Sequence, residues 1–156
     1  MLIEYTTCYF IQMSTEGKRI FVYGESGCGK TEFARRYAYR KQSLLIPLND
    51  LLPPQKWWKR HKRFITRDTV FYWDYLACSQ RKFQARFEKM IRTFPNNDFI
   101  ICSINEPNDY SSKMKDIFTR NAFRYYYLTP ERIVPYLEDE EYKKLLEKLD
   151  KLIDMI

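Results

Sequence analysis

Residues 24–31, GESGCGKT, are the segment that most constrains the fold of this chain. The fixed positions of the pattern G-x-x-x-x-G-K-[ST] are occupied by Gly24, Gly29, Lys30 and Thr31. A loop this tight turns its backbone N–H groups inward around an anion, and glycine permits this because it reaches positive φ at little steric cost. The segment therefore predicts a loop that cradles phosphate groups at the start of a helix.

The sequence around this loop supplies the strand and the helix that a phosphate loop needs. Residues 19–23, RIFVY, are β-branched and aromatic residues typical of a buried strand. Residues 30–41 carry apolar side chains at helical spacing, at Phe33, Ala34, Tyr37 and Ala38. Strand, glycine loop and helix thus follow one another as they do in nucleotide-binding P-loops.

This context predicts the chemistry of the loop residues. Lys30 is expected to reach the β- and γ-phosphates of ATP, and the hydroxyl of Thr31 is expected to ligate Mg²⁺. The helix directs its amino end, with its partial positive charge, at the same phosphates. We predict cofactor contacts along the loop and the first helical turn, from Gly24, Glu25, Ser26, Gly27, Cys28, Gly29, Lys30, Thr31 and Glu32.

Further strand-like and helical segments alternate along the chain. Strands are predicted at residues 43–48, 69–74, 98–105 and 123–128, and an amphipathic, basic helix is predicted at residues 79–94. The alternation predicts an α/β fold, a three-layer P-loop NTPase with a mainly parallel five-stranded sheet flanked by helices. The nucleotide is expected beyond the carboxyl ends of the strands.

Two regions are expected along the chain. We assign the P-loop core to residues 1–130, with an additional N-terminal strand in residues 1–18, and a C-terminal amphipathic helix to residues 131–156. Thr129 and Pro130 have the residue types of a helix start. The apolar stripe of this helix is expected to pack on the core of the same chain or to contact a partner. The stripe consists of Tyr142, Leu145, Leu146, Leu149, Leu152, Ile153 and Ile156.

Charge and cysteine usage limit the classes of function. The chain has 27 Lys and Arg against 20 Asp and Glu, and residues 131–156 hold only five basic but eight acidic side chains, so the first 130 residues carry +10. This excess favours polyanionic partners such as nucleic acid. Four cysteines without C-x-x-C spacing and a single histidine argue against a zinc site and favour a reducing, cytoplasmic setting. Residues 1–13 are interrupted by polar residues and predict neither a signal peptide nor a membrane span.

Asp74 is the candidate carboxylate for the metal. It follows the apolar strand VFYW and is expected to hold Mg²⁺ together with Thr31. The next residue is Tyr75, whereas many hydrolysing P-loop proteins have Glu there to orient the attacking water. Another residue would then have to act as the base, for example Asp68, Glu106 or Asp109.

Two later positions complete the candidate catalytic set. Asn105 ends the segment FIICSIN, where it either positions water near the γ-phosphate or simply begins the turn before Pro107. Arg120 precedes the last predicted strand, and Arg124 lies at its start. Arg120 is either a finger directed at the nucleotide of a neighbouring subunit or a surface or phosphate-contact arginine.

Taken in order, GESGCGKT, VFYWD, FIICSINEPNDYSS and FTRNAFRYYYL resemble the ATPase domain of superfamily 3 helicases. These are AAA+-related motors found in replication initiators of small DNA viruses and in some RNA viruses. The resemblance covers residues 19–128 and implies a virus- or plasmid-encoded replication ATPase. It implies ATP and Mg²⁺ binding by Lys30, Thr31 and Asp74. It also implies γ-phosphate sensing by Asn105, and an arginine finger at Arg120 in a homo-oligomeric ring.

The chain departs from this family at two places. Tyr75 replaces the second acidic residue that usually follows the metal-binding aspartate. The family also inserts a β-hairpin that tracks nucleic acid before the strand ending in Asn105, and here only residues 95–98, PNND, separate helix from strand. The sequence therefore suggests the ATPase core of this family, but not the element that binds a nucleic-acid strand.

A basic and aromatic segment offers another place for nucleic acid. In KWWKRHKRF, residues 56–64, cations suit phosphates and tryptophans suit base stacking, the candidates being Lys56, Trp57, Trp58, Lys59, Arg60, Lys62 and Arg63. The alternative is that the tryptophans pack the loop against the core and the cations are solvated.

The sequence as a whole predicts an Mg²⁺-dependent ATPase that acts on single-stranded DNA or RNA in replication, loading or packaging, with no membrane partner. A small P-loop kinase and a nucleotide-binding regulator with little hydrolysis are the alternatives, and Tyr75 favours the latter.

Overall fold

The computed structural model describes residues 17–25, 27–48, 60, 65–66, 68–73, 81–129 and 139–156. The strands are β1 (Arg19–Tyr23), β2 (Leu44–Leu48), β3 (Thr69–Trp73), β4 (Asp98–Ser103) and β5 (Arg124–Tyr127). The helices are α1 (Lys30–Arg40), α2 (Arg81–Thr93), α3 (Ser112–Arg120) and α4 (Asp139–Met155), with a 3₁₀ turn at Pro107–Asp109. The additional strand predicted near the N-terminus and the predicted helix start after Thr129 lie outside the described residues.

The five strands form one parallel sheet in the order β2-β3-β4-β1-β5. The prediction of a parallel five-stranded sheet flanked by helices is thereby confirmed. Every residue of β3 and β4 is buried, as expected for central strands with helices on both faces. The outer strands β2 and β5 are largely exposed, and Pro47 in β2 is tolerated there because an edge strand has one side without ladder hydrogen bonds.

Alternate residues of the strands point to two hydrophobic clusters, one on each face of the sheet. Phe21, Phe71 and Phe99 belong to the cluster that includes side chains of α2 and α3. Ile20 and Val22 belong to the cluster that includes side chains of α1 and α4. The sheet is therefore the middle of three layers, with aromatic rings dominating the α2 and α3 side.

Helix α4 packs on α1. Leu149 is fully buried in the cluster that lies between the sheet and these helices. Arg36 donates two hydrogen bonds to the Asp150 carboxylate, at 2.8 and 3.0 Å, and these bonds lower the pKa of Asp150. Arg40 pairs with Asp154 at 2.5 Å. The apolar stripe of α4 thus lies against the same chain, and no helix among the described residues is both long and apolar enough to cross a membrane.

Asp98 connects three segments at the amino edge of the sheet. One carboxylate oxygen accepts the main-chain N–H of Lys18 at 2.7 Å. The other accepts the Tyr37 hydroxyl at 2.7 Å and the Lys41 ammonium at 2.6 Å. Burial alone would raise the pKa of Asp98, but these three hydrogen bonds together hold the pKa below its ordinary value. Burial and the neighbouring carboxylate raise the pKa of Tyr37, so its phenol stays protonated and donates.

Candidate nucleotide-binding site

The glycine loop lies at the carboxyl end of β1, and α1 begins directly after it. Gly27 and Gly29 have φ angles of +82° and +102°, in the region that favours glycine. At Gly24 a Cβ atom would come within 2.6 Å of the main-chain oxygen of Leu128 and 2.9 Å of Cys28 Sγ. The loop therefore needs glycine at Gly27 and Gly29 for its turns and at Gly24 for its packing.

Lys30 is folded back over this loop. Its side chain is nearly buried, and Nζ donates to the carbonyl oxygens of Gly24 and Glu25, each at 2.7 Å. Cys28 Sγ lies 3.6 Å from the same nitrogen. A buried ammonium held only by neutral acceptors is a favourable partner for a phosphate oxygen, because an anion compensates its charge far better than carbonyl dipoles do.

The amino end of α1 faces the same loop. Its N-cap is Gly29, and no side-chain hydrogen bond caps this end. An uncapped first turn presents main-chain N–H groups and a partial positive charge to an anion. Glu32 in the first turn pairs with Arg35 at 2.8 Å. Loop, ammonium and helix end together fit the phosphates of a nucleotide.

The end of β4 lies beside the loop. The main-chain N–H of Gly24 donates to the carbonyl of Ser103 at 3.1 Å. The Ser103 hydroxyl is buried, lies 2.5 Å from the Tyr110 hydroxyl, and accepts the main-chain N–H of Asn105 at 3.0 Å. Ser103 is thus hydrogen-bonded through its carbonyl to the first glycine of the loop and through its hydroxyl to the backbone of Asn105. Asn105 itself is exposed at this edge of the sheet.

The strand order puts this position between the two other parts of the predicted site. Since β4 pairs with β1 on one side and β3 on the other, its end lies between the glycine loop and the end of β3 at Trp73. The predicted metal ligand Asp74 and the neighbouring Tyr75 come directly after β3 but lie outside the described residues, as does Ser26 of the loop. Thr31, the other predicted metal ligand, is half-buried at the start of α1.

Helix α3 is an element that sequence reasoning missed. Ser111 caps it, accepting the N–H of Met114 at 3.3 Å. Its buried side chains are Met114, Ile117 and Phe118, and the ring of Phe118 packs edge-on against Tyr110 at 5.6 Å. The cap followed by this apolar spacing was the available signal. In the preceding turn Asp109 accepts the N–H of Glu106 at 3.1 Å, so these two carboxylate residues stabilise the turn.

Arg120 lies far from the loop of its own chain. It ends α3, is exposed, and pairs with Glu88 of α2 at 2.6 Å. Four residues later β5 begins, so Arg120 is at the amino edge of the parallel sheet whereas Lys30 is at the carboxyl edge. A strand of this length spans about 13 Å. The structure thus brings Lys30 and the backbone of Asn105 to one edge and separates them from Arg120.

The described residues contain little of the predicted nucleic-acid segment. Arg60 is exposed, and the other candidates in residues 56–63 lie outside the described part of the chain. Within that part, no three His, Cys, Asp or Glu side chains form a metal-binding group. Cys28 and Cys102 are buried and take part in no disulfide bond among the described residues.

Comparison with known proteins supports the fold. No protein-family model matches the chain, and no curated protein matches it in sequence. Among solved structures it is similar to two substituted variants of RuvB from Thermotoga maritima, both 16% identical. One has a TM-score of 0.54 over 88% of this chain and 45% of that one, and the other a TM-score of 0.52 over 88% and 44%.

A further structure of the same protein, described as the Holliday junction branch migration motor, has a TM-score of 0.48 at 15% identity over 88% of this chain and 44% of that one. The chain therefore spans less than half the length of these RuvB structures. The two variants with TM-scores above 0.5 show at this level of identity a shared fold, which confirms the predicted P-loop NTPase architecture.

Proposed function

We propose that the protein is an Mg²⁺-dependent P-loop ATPase of the AAA+ or superfamily 3 type that acts on nucleic acid. The observation that carries the proposal is the position of the Lys30 ammonium, which is buried against the loop carbonyls in front of an uncapped helix end. Such an arrangement is made for an anion with several oxygens, because the loop, the helix end and the cation converge on one place.

Each residue of the site has a proposed role. Lys30 contacts the β- and γ-phosphates, and the loop N–H groups and the α1 amino end hold the remaining oxygens. Thr31 and Asp74 would hold Mg²⁺, which supplies positive charge to the phosphate oxygens when it is bound. Asn105 orients the attacking water. Because Arg120 lies at the opposite edge of its own chain, it is proposed to act on the nucleotide of a neighbouring subunit, in a homo-oligomeric ring.

The proposed substrate is supported by charge and by fold. The first 130 residues carry a net charge of +10, which attracts single-stranded DNA or RNA through counterion release. RuvB, whose fold the chain shares, is described as a branch migration motor. A role in replication, loading or packaging fits both observations, as does the virus- or plasmid-encoded motor that the sequence motifs suggest.

One observation favours a second function, that of a nucleotide-binding regulator. Tyr75 follows Asp74 in the place where a catalytic glutamate is common, and a neutral phenol, unlike a carboxylate, cannot take up the proton of the attacking water. The chain would then bind ATP tightly and turn it over slowly.

A single set of assays distinguishes these functions. ATP affinity and ATP turnover are measured with and without single-stranded DNA or RNA, for the native protein and for Lys30→Ala, with Lys151→Ala on the exposed face of α4 as the matched control. Turnover stimulated by nucleic acid supports the motor, whereas tight binding without turnover supports the regulator. Turnover only with a small phosphate acceptor would identify a kinase.

The loss expected for Lys30→Ala is at least tenfold in ATP affinity, since a charge-assisted hydrogen bond contributes about 1.5–3 kcal/mol. If Lys30→Ala bound ATP as tightly as the native protein and Lys151→Ala, the assignment of the loop as the ATP site would be wrong.

A further inference from the structure

A basic cleft lies at the amino edge of the sheet, on the side opposite the phosphate loop. Its volume is about 640 Å³. Cationic residues line it from the strands and helices that meet there, namely Lys18 and Arg19 around the start of β1, Arg92 of α2, Arg120 of α3 and Arg124 of β5. Among the described residues that line this cleft, none has an acidic side chain.

The cations of this cleft differ in how they are held. Arg19 donates to the carbonyl oxygens of Asn97 and Pro95, at 2.7 and 3.1 Å, and Lys18 Nζ donates to the main-chain oxygen of Ile156 at 2.6 Å. Arg120 already pairs with Glu88.

Arg92 and Arg124 are exposed, and no ion pair joins either of them to a carboxylate in the part of the chain that the structure describes. These two guanidinium groups are therefore the ones available to an anionic ligand.

Local helix electrostatics explain only part of this arrangement. A cation in the last turn of a helix is stabilised by the carbonyl dipoles there, which accounts for Arg92 near the end of α2 and Arg120 at the end of α3. The same argument does not apply to Arg124, which begins an edge strand. Cations gathered around one concavity create a positive potential there, which attracts an anionic ligand.

We propose that this cleft binds the phosphate backbone of single-stranded nucleic acid, with Arg92 and Arg124 as its principal phosphate contacts. The inference rests on the proposed function, and it assigns nucleic-acid binding to a surface other than residues 56–64. The cleft is concave, contains apolar as well as cationic side chains, and is lined by the half-buried ring of Tyr126. This combination suits single-stranded nucleic acid, because cations bind its phosphates and apolar or aromatic surface contacts its bases. Its position on the far edge leaves the phosphate loop of the same chain free for ATP, and Arg120, which pairs with Glu88, is not among the proposed phosphate contacts.

The test compares two double variants of equal charge change. Arg92→Gln with Arg124→Gln removes both cleft guanidinium groups, and Lys144→Gln with Lys151→Gln removes two exposed cations from α4. Binding of a fluorescein-labelled single strand is followed by anisotropy at several salt concentrations. We expect the cleft variant to lose about tenfold or more in affinity at low salt. The slope of the logarithm of its association constant against the logarithm of salt concentration should be smaller in magnitude than the native slope by about 1.4. Each phosphate contact on a single strand contributes about 0.7 to this slope.

Further measurements keep failure of this inference apart from failure of the proposed function. Thermal unfolding and ATP affinity of both double variants are expected to match those of the native protein, because the exchanged side chains are exposed. If the native protein binds the strand and the cleft variant retains the native affinity and salt slope, the cleft assignment is overturned and the ATPase proposal stands. The cleft assignment is likewise overturned if the double variant Lys59→Gln with Arg63→Gln weakens binding of the single strand and the cleft variant does not. If the native protein binds ATP but no single strand at 50 mM salt, the nucleic-acid function and the cleft proposal both fail.

Discussion

Replacing Asp98 with asparagine tests whether a buried carboxylate ties the start of β4 to α1 and to the segment before β1. Asparagine has nearly the same shape, and its carbonyl oxygen keeps the hydrogen bond from the Lys18 N–H. The Tyr37 hydroxyl, which donates to the carboxylate in the native protein, can rotate to accept from the new amide. Lys41 has no such option, because an ammonium only donates.

The magnitude follows from the loss of this one charged partner. A hydrogen bond between charged groups contributes about 1.5–3 kcal/mol to stability. The Lys41 side chain is 39% exposed, so solvent screens part of the interaction. We therefore expect Asp98→Asn to lower the free energy of unfolding by about 1–2 kcal/mol at pH 7, as measured by urea denaturation.

The effect should depend on pH in a fixed direction. The hydrogen bonds hold the folded-state pKa of Asp98 below its ordinary value, so the unfolded chain binds this proton first as pH falls. The stabilisation is fully present above the unfolded-state pKa, near 4, and is lost as pH falls through the folded-state pKa. The difference between the native protein and Asp98→Asn should therefore shrink between about pH 5 and pH 3.

Two results would refute this reasoning about Asp98. Equal stability of the two proteins at pH 7 would mean that the Lys41 contact contributes nothing. A difference that stayed constant from pH 7 to pH 3 would mean that the asparagine acts through packing instead of charge. Asp116→Asn, on the exposed side of α3, is the matched control and should leave stability unchanged at pH 7.

Three further predictions concern the loop and the helices. Tyr110→Phe removes the hydroxyl 2.5 Å from Ser103 Oγ but keeps the ring. It should lower the free energy of unfolding in urea by about 1 kcal/mol and reduce ATP turnover without changing ATP affinity. A parallel loss of ATP affinity would contradict a positioning role for Tyr110. Gly24→Ala places a Cβ 2.6 Å from the main-chain oxygen of Leu128 and should destabilise by about 1–3 kcal/mol, so an unchanged urea midpoint would count against the loop geometry. Leu149→Ala empties a fully buried position under α4 and should lower the free energy of unfolding by about 2–4 kcal/mol; a loss below about 1 kcal/mol would show that α4 is not docked on α1.

The elements that could be predicted from the sequence are those encoded locally. The glycine loop, β1 and α1 follow from one stretch of residues whose spacing, composition and order agree, and the observed β1 has the predicted bounds. Strands β2, β4 and β5 are each a residue or two shorter than predicted, because the terminal residues of a strand depend on whether a neighbour continues the ladder, and β3 begins where it was predicted. Helix α3 was not predicted, although Ser111 as its cap and the spacing of Met114, Ile117 and Phe118 are visible in the sequence.

Long-range arrangements could not be predicted in the same way. Nothing local to β4 says that it lies between β1 and β3, and only that order places Ser103 beside Gly24. The hydrogen bond between Tyr37 and Asp98 joins residues 61 positions apart, so it exists only once the sheet has formed. Likewise, the position of Arg120 at the edge opposite Lys30 follows from the parallel direction of β5 and not from its spacing in the sequence.

This arrangement has a mechanical consequence for a protein that is proposed to hydrolyse ATP. The Ser103 hydroxyl connects the loop edge to Tyr110, and the ring of Tyr110 packs on Phe118 of α3. Phe118 lies in the last turn of α3, two residues before Arg120, so a displacement of Tyr110 would act on this helix near the end that carries Arg120. The exposed pair between Arg120 and Glu88 resists such movement by no more than about 1 kcal/mol. The buried side chains Met114, Ile117 and Phe118 oppose such movement more strongly, so a change at the phosphate loop would move Arg120 only together with the packed core of α3.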